Sequence, residues 1–239
     1  MKYIKEDTSG AKLLNTLAES FYYNNENDSS KKYAAKALQL ADKLLHTDAA
    51  QKNNAYNMQC KMIKAQAIEN IATTMSYDDI NKGMDTMQAA MKLWMETGNK
   101  KGIASAYSIT AGLYTAKADY TNALKYYDSS LNLYRQAGDT LNTGMVYYQA
   151  ALTQRYMRNF GDALESNIKA LAIGRAIKDT NLITLSLLSD GFIYMYVKKF
   201  TDAFKSQQEA LNIFTARNDS FGIANVYNDL GVTILSAGN

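Results

Sequence analysis

The sequence contains no proline, one cysteine, one histidine and one tryptophan in 239 residues. One cysteine excludes an intrachain disulfide, and one histidine excludes a metal site built from several histidines. Without proline, helix ends must be set by caps and turn residues rather than by a breaker. No run of about 18 uninterrupted apolar residues is present, so no helix of this chain is expected to span a membrane. The charge is nearly balanced: 26 basic against 23 acidic residues leave +3. That is too balanced for a nucleic-acid surface, which needs clustered Lys and Arg. What the chain does have is 47% hydrophobic residues and 18 tyrosines, enough for a folded core and too much for wholesale disorder.

Those residues recur. Tyr120-Thr-Asn-Ala-Leu, Phe160-Gly-Asp-Ala-Leu and Phe200-Thr-Asp-Ala-Phe start 40 residues apart. Each is followed at one offset by a small and an apolar residue (Ser130-Leu131, Ala170-Leu171, Ala210-Leu211) and at another by a turn (Gly138-Asp139, Lys178-Asp179, Asn218-Asp219). Ile80, with Gly83-Met84, Ala90-Met91 and Gly98-Asn99, fits the same frame one period earlier. Within a unit the spacing is helical: Tyr107, Ala111 and Tyr114 recur as Leu187, Gly191 and Tyr194 and as Tyr227, Gly231 and Ile234, steps of four and three that share one helix face. Asp139-Thr140, Asp179-Thr180 and Asp219-Ser220 supply side-chain oxygens to cap the next helix. The pattern predicts two antiparallel helices per unit, joined by short turns.

This pattern resembles the tetratricopeptide repeat (TPR) family, a helix-turn-helix unit. The family keeps two small positions on its second helix, matched here by Ala123 and Ser130, Ala163 and Ala170, and Ala203 and Ala210. Close backbone approach explains them, since a larger side chain would overpack the joint at a cost of roughly 1–3 kcal/mol. Where the family often ends its second helix with proline, Arg135, Arg175 and Thr215 stand instead, so those helices should run on to the turn and lengthen the period beyond the usual 34 or so residues. The resemblance implies an all-α, right-handed superhelical solenoid of about five antiparallel helix pairs plus one unpaired C-terminal helix. The expected repeats are 7–46, 47–98, 99–138, 139–178, 179–218 and a partial 219–239, one array over 1–239. The second is longer: Ala37 to Ala90 is 53 residues instead of 40, an insertion of about 13 expected to lengthen the helix within 48–76. Cys60 lies there between Met58 and Met62, as a buried structural thiol would. The last unit ends on an apolar stripe (Tyr227, Leu230, Ile234) with Ala237-Gly238-Asn239 as the turn toward a second helix. Repeat arrays need a polar cap on the final face, so the expectation is a longer protein or a second copy, a homodimer through the uncapped C-terminal helix.

Catalytic arrangements are not found. There is no glycine-rich phosphate loop and no nucleophile elbow. His46 reads as a helix-end residue, and Asp78-Asp79 as acidic residues favouring the start of the helix near Ile80. Asn27-Asp-Ser29 and Asn218-Asp-Ser220 match the glycosylation triplet but fall where helix caps are needed. No cofactor and no metal are expected, and the chain reads as a non-enzyme.

In tetratricopeptide arrays the first helices line the concave side, and their non-packing positions contact ligands. Carried over by register, the resemblance implies groove contacts at Tyr148, Gln149, Leu152, Arg155 and Tyr156, at Leu188, Ser189, Phe192, Met195 and Tyr196, and at Asn225, Asn228 and Asp229. The first helix offers Lys12, Asn15, Glu19, Tyr22 and Tyr23. Leu152, Leu188 and Phe192 together do not suit a purely solvated face, and aromatics with one Arg and several amides suit a protein or peptide partner. Internal packing of a long superhelix is the competing reading. Finally, Asp7-Thr8, Leu13-Leu14-Asn15-Thr16-Leu17-Ala18, Asn27-Asp28-Ser29-Ser30, Tyr33-Ala34 and Ala37-Leu38-Gln39-Leu40-Ala41 resemble the opening of bacterial proteins that place such arrays before a membrane helix and a sensor kinase or DNA-binding module. That implies an extracytoplasmic sensing or docking domain of a signalling protein. Met1 to Gly10 has no apolar core of a signal peptide, and a free-standing cytoplasmic adaptor is the alternative.

Overall fold

A computed structural model of the chain describes residues 5–238. All regular elements among them are α-helices: α1 (Thr8–Tyr23), α2 (Asn27–Leu45), α3 (Asp48–Lys52), α4 (Asn54–Met75), α5 (Ile80–Thr97), α6 (Lys100–Ala116), α7 (Tyr120–Gln136), α8 (Thr140–Tyr156), α9 (Phe160–Ile177), α10 (Thr180–Tyr196), α11 (Phe200–Ala216) and α12 (Ser220–Ala237). Asn239, last of the anticipated turn, and Met1 to Ile4 lie outside the described residues.

The helices start and stop without proline. Asp139, Asp179 and Asp219 each accept a hydrogen bond from a backbone N–H three residues on, those of Asn142, Leu182 and Gly222. Asp79 caps α5 through the N–H groups of Asn81 and Lys82. The ends of α1 and of α5 to α11 rely on one left-handed residue per turn: Asn25, Gly98, Ala118, Gly138, Arg158, Lys178, Lys198 and Asn218 all have positive φ. That conformation lets the next N–H reach back to satisfy a carbonyl left over at the helix end, as Asp119 N does to Tyr114 O (2.9 Å) and Asp219 N to Phe214 O (3.0 Å). Only Gly98 and Gly138 adopt it without steric cost. Of the two glycosylation triplets, neither asparagine caps a helix: Asn27 is the first residue of α2, and Asn218 is the left-handed residue before the cap.

The chain divides into two compact units, Met1–Asp119 and Tyr120–Asn239. In the first, α4 is the centre, packing against α1, α2 and α5, with α6 against α5. Leu14, Ala18, Tyr33, Ala34, Ala37 and Ala67 form one core cluster, and Ala65, Ala72, Met87, Ala90, Trp94 and Ala106 another. The insertion is split: α3, capped by the Thr47 side chain, takes five residues, and α4 extends to 22. Asn53 ends the one and caps the other in extended conformation, which is why a single lengthened helix does not form. Cys60 is buried against Ala11, Ala41, Leu44 and Ile63. His46 follows α2 as its C-cap, its Nδ1 2.7 Å from the Asp42 carbonyl oxygen.

In the second unit each helix packs on its chain neighbours, and α10 also touches α8 and α12. The small residues Ala123, Ser130, Ala163, Ala170, Ala203 and Ala210 are all fully buried, at the joints where adjoining helices come close. Polar clamps recur at one register position. Asn167 Nδ2 on α9 donates to the Ser186 carbonyl and to Asp190 Oδ1 on α10, both at 2.7 Å. One period on, Gln207 Nε2 on α11 donates to Thr233 Oγ1 on α12 at 2.9 Å.

Candidate functional site

On α8, Arg155 and Tyr156 occupy the last turn; on α10, Phe192 and Tyr196 occupy the same region of the helix. The Arg155 guanidinium lies 4.2 Å from the Phe192 ring centroid and 5.6 Å from that of Tyr156, close enough for cation–π attraction worth about 0.5–2 kcal/mol. Phe192 and Tyr196 meet at 4.6 Å. Two residues known from the sequence only as repeat landmarks join them: Phe160 packs on Tyr196 at 5.5 Å and Tyr120 stacks on Tyr156 at 6.3 Å. The cluster is thus a band of aromatic rings around one cation. Tyr156 and Tyr196 are 56% and 50% exposed, so the rings are reachable. Tyr148, deeper on α8, has its phenol pushed up chiefly by burial, with Arg155 pulling down and Tyr156 adding to the rise; it stays a neutral hydroxyl donor.

Of the residues assigned by register, Leu152, Leu188 and Met195 are half-buried, as are Tyr148, Gln149 and Phe192. Ser189 is the departure. It is 3% exposed, turned with Ser186 and Asp190 into the interior, so it cannot meet a ligand on this face. Asn225 and Asn228 on α12 are exposed and Asp229 is half-buried, its carboxyl pushed up by burial; the Asp229 carbonyl lies 3.4 Å from Gln207 Nε2. These three are not joined to the aromatic band by any contact described above.

The first-helix residues fall into two groups. Tyr22 stacks edge-on with Tyr23 and Tyr77. Lys12, Asn15 and Glu19, one face of α1, line a groove of about 680 Å³ whose other walls include Met62 and Gln66 on α4 and Trp94 on α5. Behind that floor Glu69 is completely buried. Burial pushes its carboxyl up to about 8, with Trp94, Ser105 and Gln66 pulling down as hydrogen-bond partners and Glu19 pushing further up. Sequence reasoning missed Trp94, Gln66 and Glu69. Trp94 was visible as the one tryptophan but stands at a core position of the repeat; Glu69 carries no local mark of burial. Among the described residues no group of His, Cys, Asp and Glu could hold a metal, and no helix is long and apolar enough to cross a membrane.

Residues 102–176 match the model of the tetratricopeptide repeat. No curated protein matches the sequence. Among solved structures, the chain is similar to BtubC (BKLC) from P. vanneervenii, with 16% identity, TM-score 0.68, and coverage of 89% of this chain and 82% of that one. It is similar to a Rap protein complexed with Competence and Sporulation Factor (15% identity, TM-score 0.61, 97% and 65% covered). It is also similar to a Signal Transduction ATPase with Numerous Domains protein from Pyrococcus horikoshii that carries a tetratricopeptide repeat sensor (13%, 0.65, 98% and 37%). At these identities the likeness is one of fold.

Proposed function

We propose that this chain of tetratricopeptide-type helix pairs is a non-enzymatic module that binds a protein or peptide, and that it serves as the sensing or docking domain of a longer bacterial signalling protein. On this reading the repeats divide at residues 46, 98, 138, 178 and 218. The observation that carries the binding reading is the reachable aromatic band around Arg155 on α8 and α10. Aromatic rings with an Arg are the side chains that dominate protein interfaces, because they bury large area at low entropic cost and the guanidinium donates in several directions. Arg155, Tyr156, Phe192 and Tyr196 form its centre; Tyr148, Gln149 and Leu152 extend it along α8, Leu188 and Met195 along α10. Asn225, Asn228 and Asp229 on α12 are a separate set of polar contacts for the same partner. Tyrosine and amide side chains there would hydrogen-bond a partner backbone. The sensing role is supported by the fold shared with the Pyrococcus horikoshii protein, whose repeats are a sensor, and by the Rap protein held with a factor. The exposed apolar residues of α12 support a second surface, for another copy of the chain.

A peptide library displayed on phage and panned against the whole chain tests the main surface. Enriched peptides should lose at least tenfold in affinity for the Arg155→Ala/Tyr156→Ala variant, with helical circular dichroism unchanged, because both side chains are at the rim of the fold. Equal affinity for wild type and variant would place binding elsewhere.

A further inference from the structure

The groove between α1, α4 and α5 in the first unit has an uneven inventory of polar groups. Asn15 is 5% exposed; its Nδ2 donates to the Ile63 carbonyl at 3.0 Å, while its Oδ1 is buried with no donor. Behind the floor Glu69 is fully buried and has its own donors in the Trp94 indole and in Ser105 Oγ, the latter 3.5 Å from Oε2. Glu19, half-buried at the same end, is a further acceptor whose carboxyl burial pushes up and Asn70 pulls down. Buried acceptors in native proteins are nearly always paired, and a carboxylate and an amide oxygen have nothing to donate to one another. The lysines of α4 do not supply the missing donor: Lys61 pairs with Glu96 at 3.2 Å and Lys64 with Asp42 at 2.6 Å.

We propose that this groove binds a lysine or arginine side chain of an extended peptide, whose cationic head donates to Glu19 and Asn15 above Trp94. A group that satisfies both acceptors at once must be rich in donors, and an ammonium with three N–H bonds or a guanidinium with five fits where a neutral hydroxyl, with one, does not. The indole of Trp94 adds a π surface for the same charge. Lys12 lies two turns before Glu19 on the same face of α1 and repels a cation, which fixes the end of the groove the head occupies. The lining of α4 runs from Ala55 to Gln66, about 16 Å of helix, longer than a free amine fills. Gln59 and Gln66 along it match the donors and acceptors of a peptide backbone. This site is separate from the band on α8 and α10, and its failure leaves that reading intact.

Because the chain has one tryptophan and it lines this groove, its emission responds to a ligand bound there. The full chain is titrated with acetyl-Ala-Ala-Lys-Ala-Ala-amide, with the same peptide carrying norleucine for lysine, and with n-butylamine. The expected result is a saturable change in Trp94 emission with the lysine peptide, at least tenfold weaker binding of the norleucine peptide, and weaker binding of butylamine. Glu19→Gln, at a half-exposed position that does not threaten folding, should weaken the lysine peptide at least tenfold. The Arg155→Ala/Tyr156→Ala variant should respond as wild type does. Equal binding of the norleucine peptide, an unaffected Glu19→Gln variant, or no saturable response would each overturn the cation site. Butylamine binding as tightly as the peptide would overturn the peptide as its ligand.

Discussion

Glu69 sets a pH dependence that can be worked out by sign. Its carboxyl titrates at about 8 in the fold against an ordinary 4.5. Between those values the folded chain keeps a proton that the unfolded chain has released, so the contribution to stability is complete below about 4.5 and is lost as pH rises through about 8. Asp190, pushed up to about 6 by burial despite the Asn167 hydrogen bond and the Arg175 charge, acts in the same direction over a narrower window. Glu69→Gln keeps the shape and one acceptor oxygen, its amide can donate to the Ser105 hydroxyl, and it removes the ionisation. In urea denaturation it should therefore be more stable than wild type at pH 8, by roughly 2–4 kcal/mol, with the difference shrinking toward pH 5. A constant difference would mean that Glu69 does not carry the pH term. None of this was legible in the sequence. Glu69 lies on a helix packed on several sides, with Cys60, Ile63, Ala65, Ala67, Ala72 and Thr74 all buried around it; with so wide a buried surface, no polar stripe distinguishes an inward carboxyl from an outward one.

At the level of the helix, the repeat was readable because its signals are local. A cap is one residue, a small position is one residue, and both recur at fixed offsets, so Asp139, Asp179 and Asp219 and the buried alanines follow from spacing alone. The insertion was readable as a length and not as a shape, since Asn53 breaking α3 from α4 is a backbone event with no repeat to compare it to. Gly83 shows where a shared register misleads. It matches Ala123, Ala163 and Ala203, and alanine favours helix by about 1 kcal/mol over glycine. A Cβ at Gly83, however, would sit 2.9 Å from the Ala72 carbonyl oxygen and 3.1 Å from the Ser76 Cα, backbone atoms of α4 and its cap that cannot swing aside. Gly83→Ala should destabilise by about 1–3 kcal/mol, whereas Gly231→Ala, whose Cβ would meet nothing within 4 Å, should stabilise by about 0.5–1 kcal/mol. Thermal and urea midpoints of the two variants check the opposite signs; the same sign for both would leave helix propensity, not close approach, as the reason for glycine at 83.

For the molecule as a whole, the face offered to partners depends on which apolar residues remain uncovered, and here the sequence was only half informative. The stripe Tyr227, Leu230, Ile234 reads as one surface, yet Leu230 is buried against Leu187, Ala210, Leu211 and Val226, while Tyr227 and Ile234 are 61% and 60% exposed. Register assigns three residues to one side of a helix; packing against α11 and α10 then takes the middle one. Ile234 and Thr233 also line an apolar groove of about 410 Å³ with Phe200 and Phe204 of α11. A groove beside two exposed large side chains seven positions apart is what an adjoining helix fills, and α12 itself, with the same stripe, is a helix of the required kind. If a second copy occupies it, the purified chain should sediment at tens of micromolar as a species of about twice 26.6 kDa, and Ile234→Asp with Tyr227→Asp should return it to 26.6 kDa with its helical signal intact. Charged side chains at those positions face water in the free chain and cost little, but would be desolvated in the paired one, where an unpaired carboxylate costs several kcal/mol. A wild-type chain that sediments as a monomer across that range would remove self-association from the reading, and the α8–α10 surface would stand without it.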